Sequence, residues 1–186
     1  MKRKSLLLAL ALCTLAAPAA MAQSDLGLKS VGGSIGFVSP ENIDGTFMFG
    51  GYADWGTMAP RIGLETKLDY WSHSEEAFGV KASIHDVVLA AHGKYYFETA
   101  NPKLMPFAGA GLAMNFVGAK VETPAQGGFP ATSVSDSNTK LGLDIGGGVT
   151  SPMGPRTDLQ AELWYGIVSD VSQFSLRVGL SQKLGH

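Results

Sequence analysis

The chain has 186 residues, of which 45% are hydrophobic and only 16% are charged, and its formal net charge is −2. A nucleic-acid-binding protein carries a basic excess, so no nucleic-acid partner is predicted. No segment after the first two dozen residues is apolar for the roughly 18 residues that a membrane-spanning helix requires. Together with 24 glycines, these values predict a single glycine-rich all-β domain.

The first 22 residues have the organisation of a secretory signal peptide. Lys2, Arg3 and Lys4 form a positively charged start, residues 6–16 are apolar, and residues 20–22 (Ala-Met-Ala) form a small-residue cleavage site. This arrangement predicts cleavage before residue 23, so residues 1–22 are removed and residues 23–186 form the mature domain. The single cysteine lies in the removed segment, and the mature domain is therefore expected to contain no disulfide bond.

The rest of the chain alternates between apolar and polar residues with the period of two that is typical of β-strands. Each alternating segment has about ten residues, which is the length that crosses a bilayer when a strand is tilted. A strand of a soluble protein has roughly five or six residues. The eight predicted strands are Lys29–Val38, Thr46–Trp55, Arg61–Trp71, Asp86–Phe97, Leu104–Gly118, Thr139–Thr150, Asp158–Val168 and Phe174–Leu184.

The two faces of the predicted strands differ in polarity. In the sixth strand, Leu141, Leu143 and Ile145 share one face, while Lys140 and Asp144 share the other. Apolar faces turned inward would make a soluble, lipocalin-like carrier, whereas apolar faces turned outward against lipid would leave a polar lumen. The second arrangement is favoured because the polar faces carry both signs of charge and many glycines, which suits the narrow lumen of eight strands. The predicted polar network of the lumen consists of Asp54, Glu65, Lys67, Asp69, His92, Lys94, Lys140, Asp144, Glu162 and Arg177.

Aromatic residues on the apolar faces lie near the ends of the predicted strands. Two such belts are typical of a membrane barrel, in which aromatic rings mark the two interfaces. The alternative, that aromatic residues are simply good strand formers, explains their presence but not their placement. The predicted aromatic girdles comprise Phe37, Phe47, Tyr70, Phe116, Tyr165 and Phe174 at one rim, and Trp55, Tyr95 and Phe97 at the other.

The gaps between the predicted strands indicate how the barrel is oriented. Gaps after even-numbered strands are short, whereas those after odd-numbered strands include the longer segments His73–His85 and Ala119–Asn138. Outer-membrane barrels have short periplasmic turns and longer external loops, so both termini are predicted to lie in the periplasm. Residues 122–138 are poor in apolar side chains and are predicted to form a mobile external loop.

These patterns predict an all-β fold, an eight-stranded antiparallel up-and-down transmembrane β-barrel after a cleaved N-terminal signal peptide. The runs Pro106–Leu112 and Phe174–Leu180, with alternating strands along essentially the whole mature chain, resemble the small outer-membrane β-barrels of the OmpA/OmpX type. The resemblance implies a place in the outer membrane of a Gram-negative cell envelope. It also implies contacts with membrane lipid and lipopolysaccharide, and with periplasmic chaperones and the barrel assembly machinery in transit.

No catalytic, cofactor or metal site is predicted. Ser72, His73, Ser74, Glu75 and Glu76 bring a nucleophile, a base and carboxylates into one short segment. Acyl transfer needs such groups in one chain of hydrogen bonds, whereas adjacent residues of a strand point to opposite faces and a loop does not hold them in place. A single histidine with two glutamates is also better explained as a solvated loop than as a metal site.

Three functions remain open. The first is a non-enzymatic barrel that serves envelope integrity or surface interaction, with residues 119–138 as the candidate segment for a surface ligand. The second is porin-like passage of small solutes or hydrophobic compounds, which Trp71, Trp164 and Tyr52 disfavour because they are predicted to fill the lumen. The third is a soluble periplasmic carrier of the lipocalin-like kind, with the two strand faces reversed.

Overall fold

The computed structural model describes residues 24–101, 103–125, 131–169 and 171–185. They form eight antiparallel strands closed into one barrel, in which each strand pairs with its neighbours in sequence and the first pairs with the last. The predicted eight-stranded up-and-down barrel is confirmed. The strands are β1 (Asp25–Pro40), β2 (Thr46–Ala59), β3 (Ile62–Ala77), β4 (Val80–Tyr96), β5 (Met105–Thr123), β6 (Thr132–Pro152), β7 (Thr157–Val168) and β8 (Gln173–Lys183).

Two ends of the barrel are distinguished below. The terminal end is where β1 begins and β8 ends, and the loop end carries the β1–β2, β3–β4, β5–β6 and β7–β8 connections. The described part of the chain contains no helix that is long and apolar enough to span a membrane. The predicted signal peptide, residues 1–22, lies outside the described residues and stays a prediction.

Each strand separates an outer apolar face from an inner polar face. In β6, Leu143 is 55% exposed, whereas the adjacent Asp144 is 7% exposed, because successive residues of a strand point to opposite faces. In β8, Leu176 is exposed and Arg177 is buried in the same way. Apolar side chains therefore cover the outside of the barrel and charged side chains fill its interior. The lipocalin-like carrier is wrong, since it requires the reverse.

The aromatic residues predicted as girdles lie on the outer face of the barrel. All are exposed except Tyr70, which is half-buried. The Phe37 and Phe47 ring centroids lie 6.3 Å apart next to the β1–β2 connection, and those of Tyr95 and Phe97 lie 5.1 Å apart at the end of β4. The outer apolar surface is thus edged with aromatic rings towards both ends.

The structure corrects the prediction of long loops after the third and fifth strands. Most of residues 73–85 belongs to β3 and β4, which leave only Phe78 and Gly79 as a turn. All of residues 119–138 except residues 124–131 belongs to β5 and β6. The low apolar content of these segments suggested loops, but their backbone groups pair with the adjacent strands. The barrel ends therefore differ in the height of their hairpins rather than in the length of their connections.

The two long hairpins pair with each other and form a four-stranded extension of the barrel wall. This extension consists of residues 72–77, 80–86, 118–123 and 132–141. β2 pairs with β3 only up to Trp71, and β7 pairs with β6 only from Gly142 onwards. The extension therefore stands clear of the other strands. The part of β3 beyond Trp71 spans roughly 20 Å at about 3.3 Å per residue.

Candidate functional site

Four charged side chains meet in the lumen and form what is called here the ionic cluster. Glu65 and Lys67 lie two residues apart in β3 and so share its inner face, while Lys94 comes from β4 and Glu162 from β7. Lys94 Nζ lies 2.5 Å from Glu65 Oε2 and 2.6 Å from Glu162 Oε1. Lys67 Nζ contacts Glu162 and lies 3.1 Å from Glu65 Oε1. Each of the four residues is at most 5% exposed, and their two positive and two negative charges balance.

Polar and aromatic side chains surround the ionic cluster. Gln160 Nε2 donates to Glu65 Oε2 at 3.1 Å, and Trp164 Nε1 donates to Glu162 Oε2 at 3.0 Å. The Lys94 ammonium lies 4.4 Å from the centre of the Phe107 ring, which adds a favourable cation–π contact. Because buried charges are tolerated only when they are paired and hydrogen-bonded, these contacts hold the cluster in one arrangement.

An ion pair and a histidine–carboxylate hydrogen bond lie in the same part of the lumen. Arg177 Nη1 donates to Asp69 Oδ2 at 2.6 Å, and His92 Nε2 lies 2.7 Å from Asp144 Oδ2. The His92 ring stacks on Trp164 with a centroid distance of 4.0 Å. Two cavities beside these groups have volumes of about 10 Å³ each, which is roughly the space of one water molecule. This level of the lumen is therefore filled.

Small residues of the wall make room for the aromatic side chains of the lumen. A Cβ atom at Gly109 would lie 2.8 Å from the Trp164 ring and 2.9 Å from the Gly93 carbonyl oxygen. Such contacts are shorter than van der Waals distance, so glycine at residue 109 allows Trp164 to cross the lumen.

An apolar layer covers the charged groups on their loop-end side. Trp71 follows Asp69 two residues further along the inner face of β3 and is 1% exposed. Ile43, Ile84 and Val117 pack against this layer from the loop end. Charged and apolar layers thus close the lumen in succession. The buried members of the apolar layer are Val38, Met48, Trp71 and Val171.

Two of the residues predicted for the lumen network lie apart from the others. Asp54 is half-buried and accepts a hydrogen bond from the Gly56 amide at 2.6 Å. Lys140 lies at the edge of the extension, where its Nζ donates to the Ser169 carbonyl oxygen at 3.0 Å. The remaining eight are buried inside the barrel, at 0–7% exposure. Period-two alternation gives the face of a residue but not its height along the barrel, and height separates Lys140 from the ionic cluster.

A cleft opens on the loop-end side of the apolar layer, between the β1–β2 connection and the extension. Its volume is about 270 Å³. Residues 72–76 and 119–138, both singled out in the sequence, supply five of the lining residues. Because both segments were predicted to lie in loops, nothing in the sequence indicated that they meet in one cleft. A third strand that continues beyond residue 71, as β3 does, places His73 and Glu75 on the face that lines the cleft. The lining residues are Asn42, Ile43, His73, Glu75, Ala82, Ser83, Ile84, Ala119, Lys120 and Val121.

The segment around His73 does not assemble a catalytic group. His73 Nε2 and Glu75 Oε1 share one face of β3 and lie 3.2 Å apart. Ser74 lies between them in a strand, where alternate residues point to the opposite face, and it pairs with Ser83 of β4. A serine, the histidine and a carboxylate therefore do not line up as acyl transfer requires. Among the described residues, no group of three or more histidine, cysteine, aspartate or glutamate side chains is placed to hold a metal ion.

One ion pair lies in the extension, beyond the loop-end edge of the outer apolar surface. Lys120 Nζ donates to Glu122 Oε1 at 2.6 Å. Both side chains are nearly half exposed. The Lys120 ammonium lowers the pKa of the Glu122 carboxyl from its ordinary value, since a hydrogen bond and a nearby positive charge favour the ionised form.

Comparisons with known structures agree with this architecture. Neisserial surface protein A matches with a TM-score of 0.58 and 19% identity, over 87% of this chain and 100% of that chain. Ail of Yersinia pestis, in complex with the heparin analogue sucrose octasulfate, matches with a TM-score of 0.56 and 16% identity, over 85% and 100%. The N-terminal β-barrel domain of Pseudomonas aeruginosa OprF matches with a TM-score of 0.55 and 14% identity, over 85% and 99%. The TM-scores show a shared fold, although the sequence identities are low.

The sequence itself carries the signature of a family. No curated protein sequence matches the chain significantly, but the family model described as outer membrane protein beta-barrel domain matches residues 5–183. The outward apolar surface with its aromatic edges and the polar, filled lumen are the features by which such a barrel lies in lipid. The chain belongs to the outer-membrane β-barrel family and resides in the outer membrane.

Proposed function

We propose that this chain is a non-enzymatic outer-membrane barrel that presents the extension at the cell surface for interaction, with both termini in the periplasm. The observation that supports this proposal is a contrast between two regions. The lumen is closed, whereas the extension stands clear of the other strands and borders the cleft. Binding sites are commonly placed on segments that a rigid scaffold positions. The ion-paired lumen supplies such a scaffold and also supports a role in envelope integrity, because a filled barrel adds no leak.

The proposal implies several contacts along the path of the protein. Membrane lipid and lipopolysaccharide would cover the outer apolar surface and its aromatic girdles. Periplasmic chaperones and the barrel assembly machinery would handle the chain in transit, since its outer face is apolar before insertion. Passage of solutes or hydrophobic compounds finds little support, because it would require the ionic cluster and the apolar layer to separate.

Cysteine labelling on intact cells tests the orientation. The only cysteine lies in the predicted signal peptide, so a new cysteine in the mature chain is a unique label site. Ser135→Cys places it on the extension, and Met153→Cys places it in the β6–β7 connection of the terminal end, where Met153 is 65% exposed. We expect a membrane-impermeant maleimide to label position 135 on intact cells and position 153 only after permeabilisation. The opposite pattern would overturn the proposal.

Conductance measurements test the closed lumen. The purified protein inserted into a planar lipid bilayer should show no steady ion conductance, because charged and apolar layers fill the lumen in succession. A matched bilayer with a known porin serves as the positive control. A stable open state of the unmodified protein would favour the passage function instead.

A further inference from the structure

The loop end of the barrel carries an excess of negative charge. Among the described residues of its connections and of the extension, six acidic side chains lie at least partly exposed, against three lysines. A surface of one dominant sign attracts partners of the opposite sign and repels those of the same sign. The acidic side chains are Glu41, Asp44, Glu75, Glu76, Glu122 and Asp136, and the lysines are Lys81, Lys120 and Lys140.

The cleft is apolar at its base and charged at its rim. Ile43 and Ile84 lie at the base, where they also pack against the apolar layer of the lumen. Glu75 lies at the rim and is exposed, whereas Lys120 adjoins the cleft with its ammonium paired to Glu122. The volume of about 270 Å³ falls just below the roughly 300–1,000 Å³ of pockets that enclose a whole drug-sized ligand. A space of this size suits one large apolar side chain of a longer partner.

We propose that the cleft binds an apolar side chain of a cationic polypeptide segment, whose lysine or arginine residues pair with Glu75 at the cleft and with other acidic side chains of the loop end. This inference rests on the proposed function and names the class of partner for its surface. The apolar base supplies the anchor, as buried apolar side chains do in protein interfaces. The acidic excess favours a positively charged partner and disfavours a sulfated glycan or another polyanion.

Binding of designed peptides to the full mature barrel in phosphatidylcholine nanodiscs tests the proposal. The main probe is a dye-labelled ten-residue peptide of lysine and serine with one central leucine, and empty nanodiscs give the lipid background. One control replaces the leucine with serine, and another replaces every lysine with glutamate. Fluorescence anisotropy at low salt should rank the main probe first. The serine control should bind roughly tenfold more weakly or worse, which corresponds to the loss of one buried apolar side chain.

Variants of the barrel identify the binding surface. Ala119→Trp should fill the cleft and weaken the main probe about as much as the loss of its leucine does. Val134→Trp is the matched control, because Val134 lies in the extension, is 70% exposed and does not line the cleft. Glu75→Gln should weaken binding and reduce its dependence on salt, since it removes one carboxylate from the rim. Heat-modifiable gel migration verifies that each variant folds.

Three results would overturn the inference. Tighter binding of the glutamate peptide or of heparin would show that the surface prefers anions. Equal binding of the leucine and serine peptides would show that the cleft takes no part. No binding of any peptide to a barrel whose position 135 is labelled on intact cells would refute the partner class and leave the proposed function standing. Labelling only after permeabilisation would refute the proposed function itself.

Discussion

Two lysine–glutamate pairs of the same length lie in two different regions of this barrel. In the lumen, Lys94 Nζ lies 2.6 Å from Glu162 Oε1, and in the extension Lys120 Nζ lies 2.6 Å from Glu122 Oε1. The lumen pair is 1% and 4% exposed, whereas the extension pair is 47% and 43% exposed. The distance between the charged atoms is the same and the exposure differs, so the comparison separates the effect of burial from that of distance.

Burial makes each lumen charge depend on its partners. A buried charge that loses its partner cannot recover its hydration. Removing one partner therefore costs much more folding free energy than the intact pair contributes. An exposed pair exchanges its partner for water and dissolved ions at little cost. The same residue types therefore act as structural elements in the lumen and as parts of a solvated surface in the extension.

The largest effect is expected from removing one carboxylate of the lumen pair. Glu162→Gln leaves Lys67 and Lys94 sharing Glu65 alone, which should lower the free energy of unfolding by about 3–5 kcal/mol. Urea-induced unfolding in lipid vesicles measures the change. Glu122→Gln is the matched control and should leave the unfolding midpoint unchanged. Equal midpoints for the two variants would show that water reaches the lumen pair.

The second-largest loss of stability is expected from a charge placed on the outer face of the barrel. Ile145 lies in the outward row of β6 between Leu143 and Val149, within the part of the strand that pairs with β7, and it is 51% exposed. Ile145→Arg should cost about 2–4 kcal/mol, because an arginine near the bilayer midplane enters hydrocarbon. Val134→Arg, in the extension of the same strand, should cost less than about 0.5 kcal/mol. Similar losses of stability in lipid vesicles would mean that the extension also lies in the membrane.

A smaller effect, this time a gain in stability, is expected at the turn between β3 and β4. Phe78 and Gly79 have φ angles of 53° and 77°, a combination that suits Asn-Gly and that a phenylalanine adopts at a cost. Phe78→Asn should raise the free energy of unfolding by up to about 1 kcal/mol. Phe78→Ala keeps a side chain in the same strained backbone and should bring no gain. A stabilising alanine variant would point to the exposed ring rather than to the backbone.

The smallest effect concerns the pH dependence of the extension pair. The pKa of Glu122 is lowered by Lys120 from its ordinary value of 4.5. A depressed carboxyl pKa gives a stabilisation that is present above the ordinary pKa and lost as the pH falls through the lowered one. An NMR titration of the Glu122 carboxyl should show this lowered pKa, and Lys120→Gln or 0.5 M salt should return it towards the ordinary value. If neither change alters the pKa of Glu122, Lys120 is not the cause of the lowered value.

The lumen and the extension also differ in how well the sequence predicted them. Alternation assigned Glu65, Lys67 and Trp164 to the inner face, because the membrane imposes an apolar outer face on every strand within it. Beyond the membrane both faces of a strand can be polar, so the alternation disappears although the strand continues. Residues 119–138 were predicted as a loop for this reason, and the pairing between hairpins that orders most of them is invisible in local composition.

The sequence by itself determined the fold class, the number of strands and which side chains face lipid, because a strand in a bilayer must alternate in polarity. Tertiary structure alone decided which charges meet and where a cavity forms. The contact of Lys94 with both Glu65 and Glu162 depends on the stagger between β3, β4 and β7, and the cleft depends on hairpins far apart in sequence. Relative height and long-range pairing are set by the closure of the barrel, which no local pattern of residues encodes.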